Sequence, residues 1–230
     1  MNNKIKMTCG GTFNWYDQWV VISIDLIEAY VEQCEISNSL AINEFERYKK
    51  QEIEEHEHGA KIFTHFRLID GATFNAKDIM YIEFPKLNRH STLVLIMSMF
   101  EKTLKNLCDR INVLFELNKS FKKIPKESLL SSIKTYLSEV AGLQFTHELD
   151  EQWSDLMCLQ SIRNSITHNF GRFERGTNSV TDFITKNKNI SLAENREIYF
   201  NHEFLKDLIP DFRAFCIGLQ QSIRDKNNIT

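Results

Sequence analysis

Apolar residues recur every three or four positions along most of this chain, the spacing that returns side chains to one face of an α-helix. From Trp15 to Cys34, Val20, Ile24, Ile27 and Val31 predict an amphipathic helix. Ser37-Asn38-Ser39 predicts a break there and an N-cap for a second helix, Leu40 to His58. That helix becomes strongly charged through Lys49, Lys50, Glu52, Glu54, Glu55 and Glu57, and is expected to stop at Gly59. Between Ile62 and Phe84 the pattern fades. Asp70-Gly71 signals a turn and Pro85 disfavours helix at Phe84, so a loop or short helix is expected.

Beyond Pro85 the periodicity strengthens. Ser91 can cap a long helix whose stripe is Leu93, Met97, Phe100, Leu104, Leu107, Ile111 and Leu114. Pro125 and Glu127 open another, with Leu129, Ile133, Tyr136, Leu137 and Val140 inward and Gly142 closing it. A third begins at Asp150, runs through Trp153, Leu156, Leu159, Ile162 and Ile166, and ends near Gly171, where glycine accepts the left-handed conformation. Ile190, Leu192, Ile198 and Phe200 alternate with polar residues around Ala193-Glu194-Asn195-Arg196 and predict a short β-hairpin. Phe204, Leu208, Phe212, Phe215, Leu219 and Ile223 mark a closing helix, kinked or restarted at Pro210. The chain therefore reads as mainly α.

Composition narrows the function classes. With 42% apolar and 26% charged residues, three prolines and eight glycines in 230 residues, the chain is globular. Five single cysteines lack the paired spacing of zinc or thiol redox sites and are read as reduced thiols. Met1 to Gly11 carries no secretory leader pattern, and the most apolar run, Leu93 to Phe100, is far short of the ~18 residues of a membrane span. A cytoplasmic protein without membrane association is expected. At a net charge of −3, any attraction to nucleic acid must be local. His56, His58 and His65 with their neighbouring glutamates lack an H-E-x-x-H arrangement and read as a solvated helix, so no metal and no cofactor are expected.

Candidate chemistry lies in Ser161-Ile162-Arg163-Asn164-Ser165-Ile166-Thr167-His168-Asn169. At 100° per residue, Asn164 and His168 share a face. Arg163 falls inside the stripe of Leu159, Ile162, Ile166 and Phe170, where a guanidinium needs compensation from a carboxylate such as Glu101 or Asp109, or from a ligand phosphate. Two basic clusters flank the segment: Lys119, Lys122, Lys123 and Lys126 before it, and Arg172, Arg175, Lys186 and Lys188 after it. Phe170 or Phe173 is available in the second to stack a base.

This segment resembles the signature of the HEPN superfamily, an arginine and a polar residue followed after a short interval by a histidine. Arg196 and His202 also satisfy the spacing, but they fall in or beside the expected hairpin, whereas the family carries its signature near the end of a bundle helix. The resemblance extends to Gly171 after the motif and to Glu101 and Leu104 on the earlier long helix, covering Lys86 to Asp225. It implies an antiparallel helical bundle over residues 86–230; the helical periodicity ahead of it is read as an N-terminal helical extension over residues 1–85.

The family resemblance also implies metal-independent RNA cleavage at a site composed across a homodimer. Arg163, His168 and Asn164 would be catalytic, Thr167, Asn169, Arg172 and Arg175 would contact RNA, and Glu101 would support the site. The implied role is a toxin or defence effector, with an antitoxin or defence-system protein as a further partner. The alternative is a non-catalytic HEPN-like module whose polar groove binds a nucleotide or a protein.

Overall fold

The computed structural model describes residues 13–56, 59–173 and 178–229. Among them the chain is mainly helical, with two small antiparallel sheets. The helices are α1 (Val21–Tyr48), α2 (Ala76–Asp78), α3 (Phe84–Leu114), α4 (Leu129–Thr135), α5 (His147–Asn169), α6 (Asn178–Lys186) and α7 (Phe204–Ile229). The strands form two hairpins, β1 (Lys50–His56) with β2 (Gly59–His65), and β3 (Ile190–Leu192) with β4 (Ile198–Phe200). Wider π-helical turns at Tyr16–Val20, Ile79–Glu83 and Tyr136–Val140 adjoin α1, α3 and α4. None of the described helices is long and apolar enough to cross a membrane.

Two compact units emerge. The first comprises Met1–Leu26, Ser98–Met157 and Ile209–Thr230, the second Ile27–Met97 and Cys158–Leu208. Residues ahead of 86 thus contribute to both. In the first unit, Phe100 stacks on Phe212 at 4.6 Å between ring centroids, and Trp153 lies 5.2 Å from Phe215 and 5.6 Å from Phe145. In the second, Phe45, Phe66, Ala76 and Met80 form a small cluster, and Phe200 stacks on Phe204 at 4.2 Å.

The periodic stripes are buried where helices were expected. Val20, Ile24, Ile27 and Val31 are all buried, as are Leu93 through Ile111 on α3 and Phe204 through Ile223 on α7. The hairpin of Ile190, Leu192, Ile198 and Phe200 is also present.

Four local expectations are corrected. Ser37-Asn38-Ser39 does not break α1: the Ser39 hydroxyl donates to the Glu35 carbonyl at 3.0 Å, and buried Asn38 accepts from Asn88 of α3 at 2.6 Å, so side chains expected to compete with the helix find partners that leave it intact. The charged stretch after it is a strand, with Ile53 opposite Ile62 and Glu54 opposite Lys61. Past Tyr48 the next apolar residue is Ile53, off the helical spacing, and cross-strand pairing takes over. Phe84 is helical despite Pro85, because the preceding π turn is where the backbone absorbs the missing N–H. Helix α4 is capped not at Pro125 but at Ser128, whose hydroxyl accepts from the Ser131 N–H at 3.0 Å. Two elements had not been expected from the pattern: α6, with Val180 and Ile184 buried, and the β1–β2 hairpin itself.

Candidate functional site

The last two turns of α5 belong to the second unit and carry Arg163, Asn164, Thr167, His168 and Asn169. Asn164 and His168 are exposed, and Arg163 and Asn169 are half-buried. The Thr167 hydroxyl is turned back into the helix, 3.1 Å from the carbonyls of both Arg163 and Asn164, so its proton is not offered outward. Glu101 belongs to the first unit and is 9% exposed. Arg172 is exposed, and Arg175 lies outside the described residues. The competing pair does not share an element: Arg196 sits in the β3–β4 turn with φ +65°, and His202 pairs with Glu203 at 2.8 Å.

The end of α5 is held by its own cap and by the neighbouring hairpin. Phe170 and Gly171 both take left-handed conformations, at φ +52° and +80°, and the Gly171 N–H reaches the Ser165 carbonyl at 3.1 Å. The Gly171 carbonyl accepts from Ile198 at 2.9 Å, and the Phe173 N–H donates to the Arg196 carbonyl at 2.9 Å, joining the chain after the motif to the start of β4. A Cβ on Gly171 would lie 2.9 Å from Cε1 of His90, so both its φ and its tight packing require glycine. Of the two rings considered for base stacking, Phe173 is buried at 4% and is removed from that role, whereas Phe170 is 92% exposed.

Three residues missed by the sequence reading set this frame, and all lie in the segment Lys86 to His90 near the start of α3. Arg89 forms a two-pronged pair with Glu35, 2.7 Å on each side, and donates to the Phe200 carbonyl at 3.0 Å. Lys86 joins Glu197 at 2.7 Å and also bonds Glu83. Burial pulls the Lys86 pKa down, but the hydrogen bonds it donates to Glu197 and Glu83 outweigh that and raise it, and the same Lys86 bond holds the Glu197 carboxyl below its usual range. Nε2 of buried His90 donates to the Ile198 carbonyl at 2.9 Å, and its ring meets Phe200 edge to face at 5.2 Å. A cluster of polar residues just ahead of the apolar stripe was the available signal, since buried polar groups require partners.

Burial, opposed by the Ile198 bond, keeps His90 below the ordinary histidine range. Below about pH 6.5 the unfolded chain protonates this group while the folded chain keeps it neutral. The unfolded state then binds more protons, and stability declines as pH falls until the folded-state pKa is reached. The melting temperature should therefore drop as pH falls below about 6.5. His90→Gln, which retains an N–H for the Ile198 carbonyl, should flatten that slope; an identical slope in the variant removes His90 as its source.

The four described cysteines are free, and burial pushes the Cys108 thiol up to about 12 and raises that of Cys216 further. Among the described residues, His, Cys, Asp and Glu side chains do not gather into a group of three or more that could hold a metal ion. Compared with family models, curated proteins and solved structures, the chain matches none.

Proposed function

We propose that this chain is a metal-independent endoribonuclease of the HEPN type, acting as a homodimer whose composite site is built from the ends of two α5 helices, and serving as a toxin or defence effector. The observation that carries the reading is the pairing of exposed His168 with Phe170, an aromatic ring 92% exposed at a left-handed position two residues later. A left-handed non-glycine residue costs about 1–2 kcal/mol, and the ring recovers nothing from burial. An exposed ring at the end of α5 is available to stack on a base.

Attack by the ribose 2′-hydroxyl needs a base at that hydroxyl, an acid at the departing 5′ oxygen and positive charge on the phosphorane. One imidazole cannot serve as base and acid together, so two copies of His168 supply the two roles. A helix C-terminus repels phosphate through its exposed carbonyl dipoles, and Arg163 and Arg172 must outweigh that repulsion. Asn164, on the face of His168, orients the imidazole or donates to a phosphate oxygen. Exposed Ile36, Leu40 and Leu87 offer apolar area on the second unit for a second copy of the chain.

The test is purified full-length protein on RNA in EDTA. Products ending in 2′,3′-cyclic phosphate and 5′-hydroxyl are expected; intact RNA, or scission only after a divalent metal is added, contradicts the reading. Phe170→Gly adds a sharper check. Glycine accepts φ +52° and no buried area is lost, so the melting temperature should not fall. RNA binding should weaken roughly tenfold, the scale of one lost base–aromatic stack. Unchanged RNA affinity would take Phe170 out of the site.

A further inference from the structure

We propose that a groove in the first unit binds a nucleotide-type ligand, a phosphate anion joined to a flat heterocycle. A cavity of about 280 Å³ is lined on one side by Trp15, Trp19 and Ser23, and on the other by a stripe of α3 from Met99 through Lys102 and Asn106 to Arg110. Its size is near the lower end of the ~300–1,000 Å³ of small-molecule sites. Every lining residue belongs to the first unit.

Charge identifies the ligand class. Lys102 and Arg110 are the charged residues of the lining, no carboxylate lines it, and neither cation has an ion-pair partner among the described residues. Eight residues apart on one helix, their backbones stand about 12 Å from each other along the axis, a span that two long side chains can close around one anion between them. The Arg110 guanidinium carbon lies 3.8 Å from the centroid of the Trp19 ring. That contact occupies one face of the planar group and leaves its edge N–H donors for a two-pronged acceptor such as phosphate. Asn106 between the two cations adds an amide for the same anion.

The indole is itself positioned in advance. Trp19 sits in the π-helical turn Tyr16–Val20, a geometry often found at functional sites, and is 36% exposed. Buried Gln220 holds the start of that turn, donating to the Phe13 carbonyl at 2.8 Å and accepting from the Tyr16 N–H at 3.1 Å. Partly exposed Trp19 and the Met99 thioether give a flat ring an apolar seat next to the cations. A bare phosphate would leave that seat unused, and a neutral nucleoside would leave both cations uncompensated.

The three tryptophans give a direct readout, because two line the groove and Trp153 is buried on α5. In a titration of the full chain with AMP, GMP, CMP or UMP, the indole N–H resonances of Trp19 and Trp15 should shift saturably and that of Trp153 should not, with Trp19→Phe assigning the signal. Adenosine and inorganic phosphate, added separately, should bind at least tenfold more weakly than AMP. Lys102→Glu, at an exposed position, should weaken AMP at least tenfold with an unchanged melting temperature, and Arg110→Lys should do the same through loss of the two-pronged donor. The proposal is overturned if no monophosphate moves Trp19, if adenosine or phosphate alone binds as tightly as AMP, or if Lys102→Glu leaves the affinity unchanged.

Discussion

His168→Ala should reduce RNA cleavage by roughly 10²-fold or more while leaving the melting temperature where it is. The rate effect follows from the proposed chemistry: alanine removes the acid from one protomer and the base from the other, and each decade lost corresponds to about 1.36 kcal/mol of transition-state stabilisation. Neutral stability follows from position, because His168 is exposed on the last turn of α5. The measurement is a single-turnover cleavage rate for wild type and variant, with thermal melts of both. A rate within a few-fold of wild type removes His168 from the acid and base roles. A parallel fall in rate and melting temperature would instead mark it as a structural residue.

Glu35→Ala should have the largest effect on stability. Its carboxylate takes both prongs of Arg89 at 2.7 Å, and the two side chains are only 14% and 15% exposed. Removing it leaves a largely buried guanidinium with the Phe200 carbonyl in place of a counter-charge. Breaking a buried pair on one side costs about 3–5 kcal/mol, and the residual exposure puts this one near about 3. For a chain of this length that is a melting-temperature loss of roughly 6–12 °C. The double variant Glu35→Leu/Arg89→Met should lose less than Glu35→Ala alone, because no unpaired charge remains. A loss below about 1 kcal/mol in Glu35→Ala would place the pair among solvated surface bridges.

The same pair bears on the proposed site. Glu35 on α1 holds Arg89 on α3, Arg89 holds the Phe200 carbonyl on β4, and two residues earlier on that strand Ile198 bonds both the Gly171 carbonyl and His90. The cap that follows His168 is therefore fixed through residues distant in sequence but joined by successive hydrogen bonds within one unit.

How much of this was legible depends on the kind of signal each residue leaves. The α3 and α7 stripes were readable because burial imposes a helical period that little else produces, and every stripe residue from Leu93 to Ile111 is buried. Gly171 was readable as a helix stop because few residues tolerate φ +80°. The β1–β2 hairpin was not, because β1 is exposed along its whole length and so carries no alternation of burial for a sequence pattern to report. Ser37 to Ser39 misled for the opposite reason: local propensity favours a break, and Asn88, fifty residues after Asn38, supplies the partner that overrides it. At the candidate site, Arg163, Asn164 and His168 were singled out by resemblance to a family signature and by their place near a helix end, but the roles of Glu35, Lys86, Arg89, His90 and Glu197 depend on partners across the chain that no local window contains. Phe170 and Phe173 differ by three positions and are equivalent in the sequence; only folding assigns one to solvent and the other to the core.

The most direct measurement compares two oligonucleotides of one sequence in EDTA, one all-ribose and the other carrying a single deoxyribose on the 5′ side of the scissile phosphate. If the end of α5 drives attack by the neighbouring hydroxyl, the all-ribose strand is cut and the substituted strand stays intact at that position. Equal scission of both strands would contradict that mechanism and the functional reading built on it.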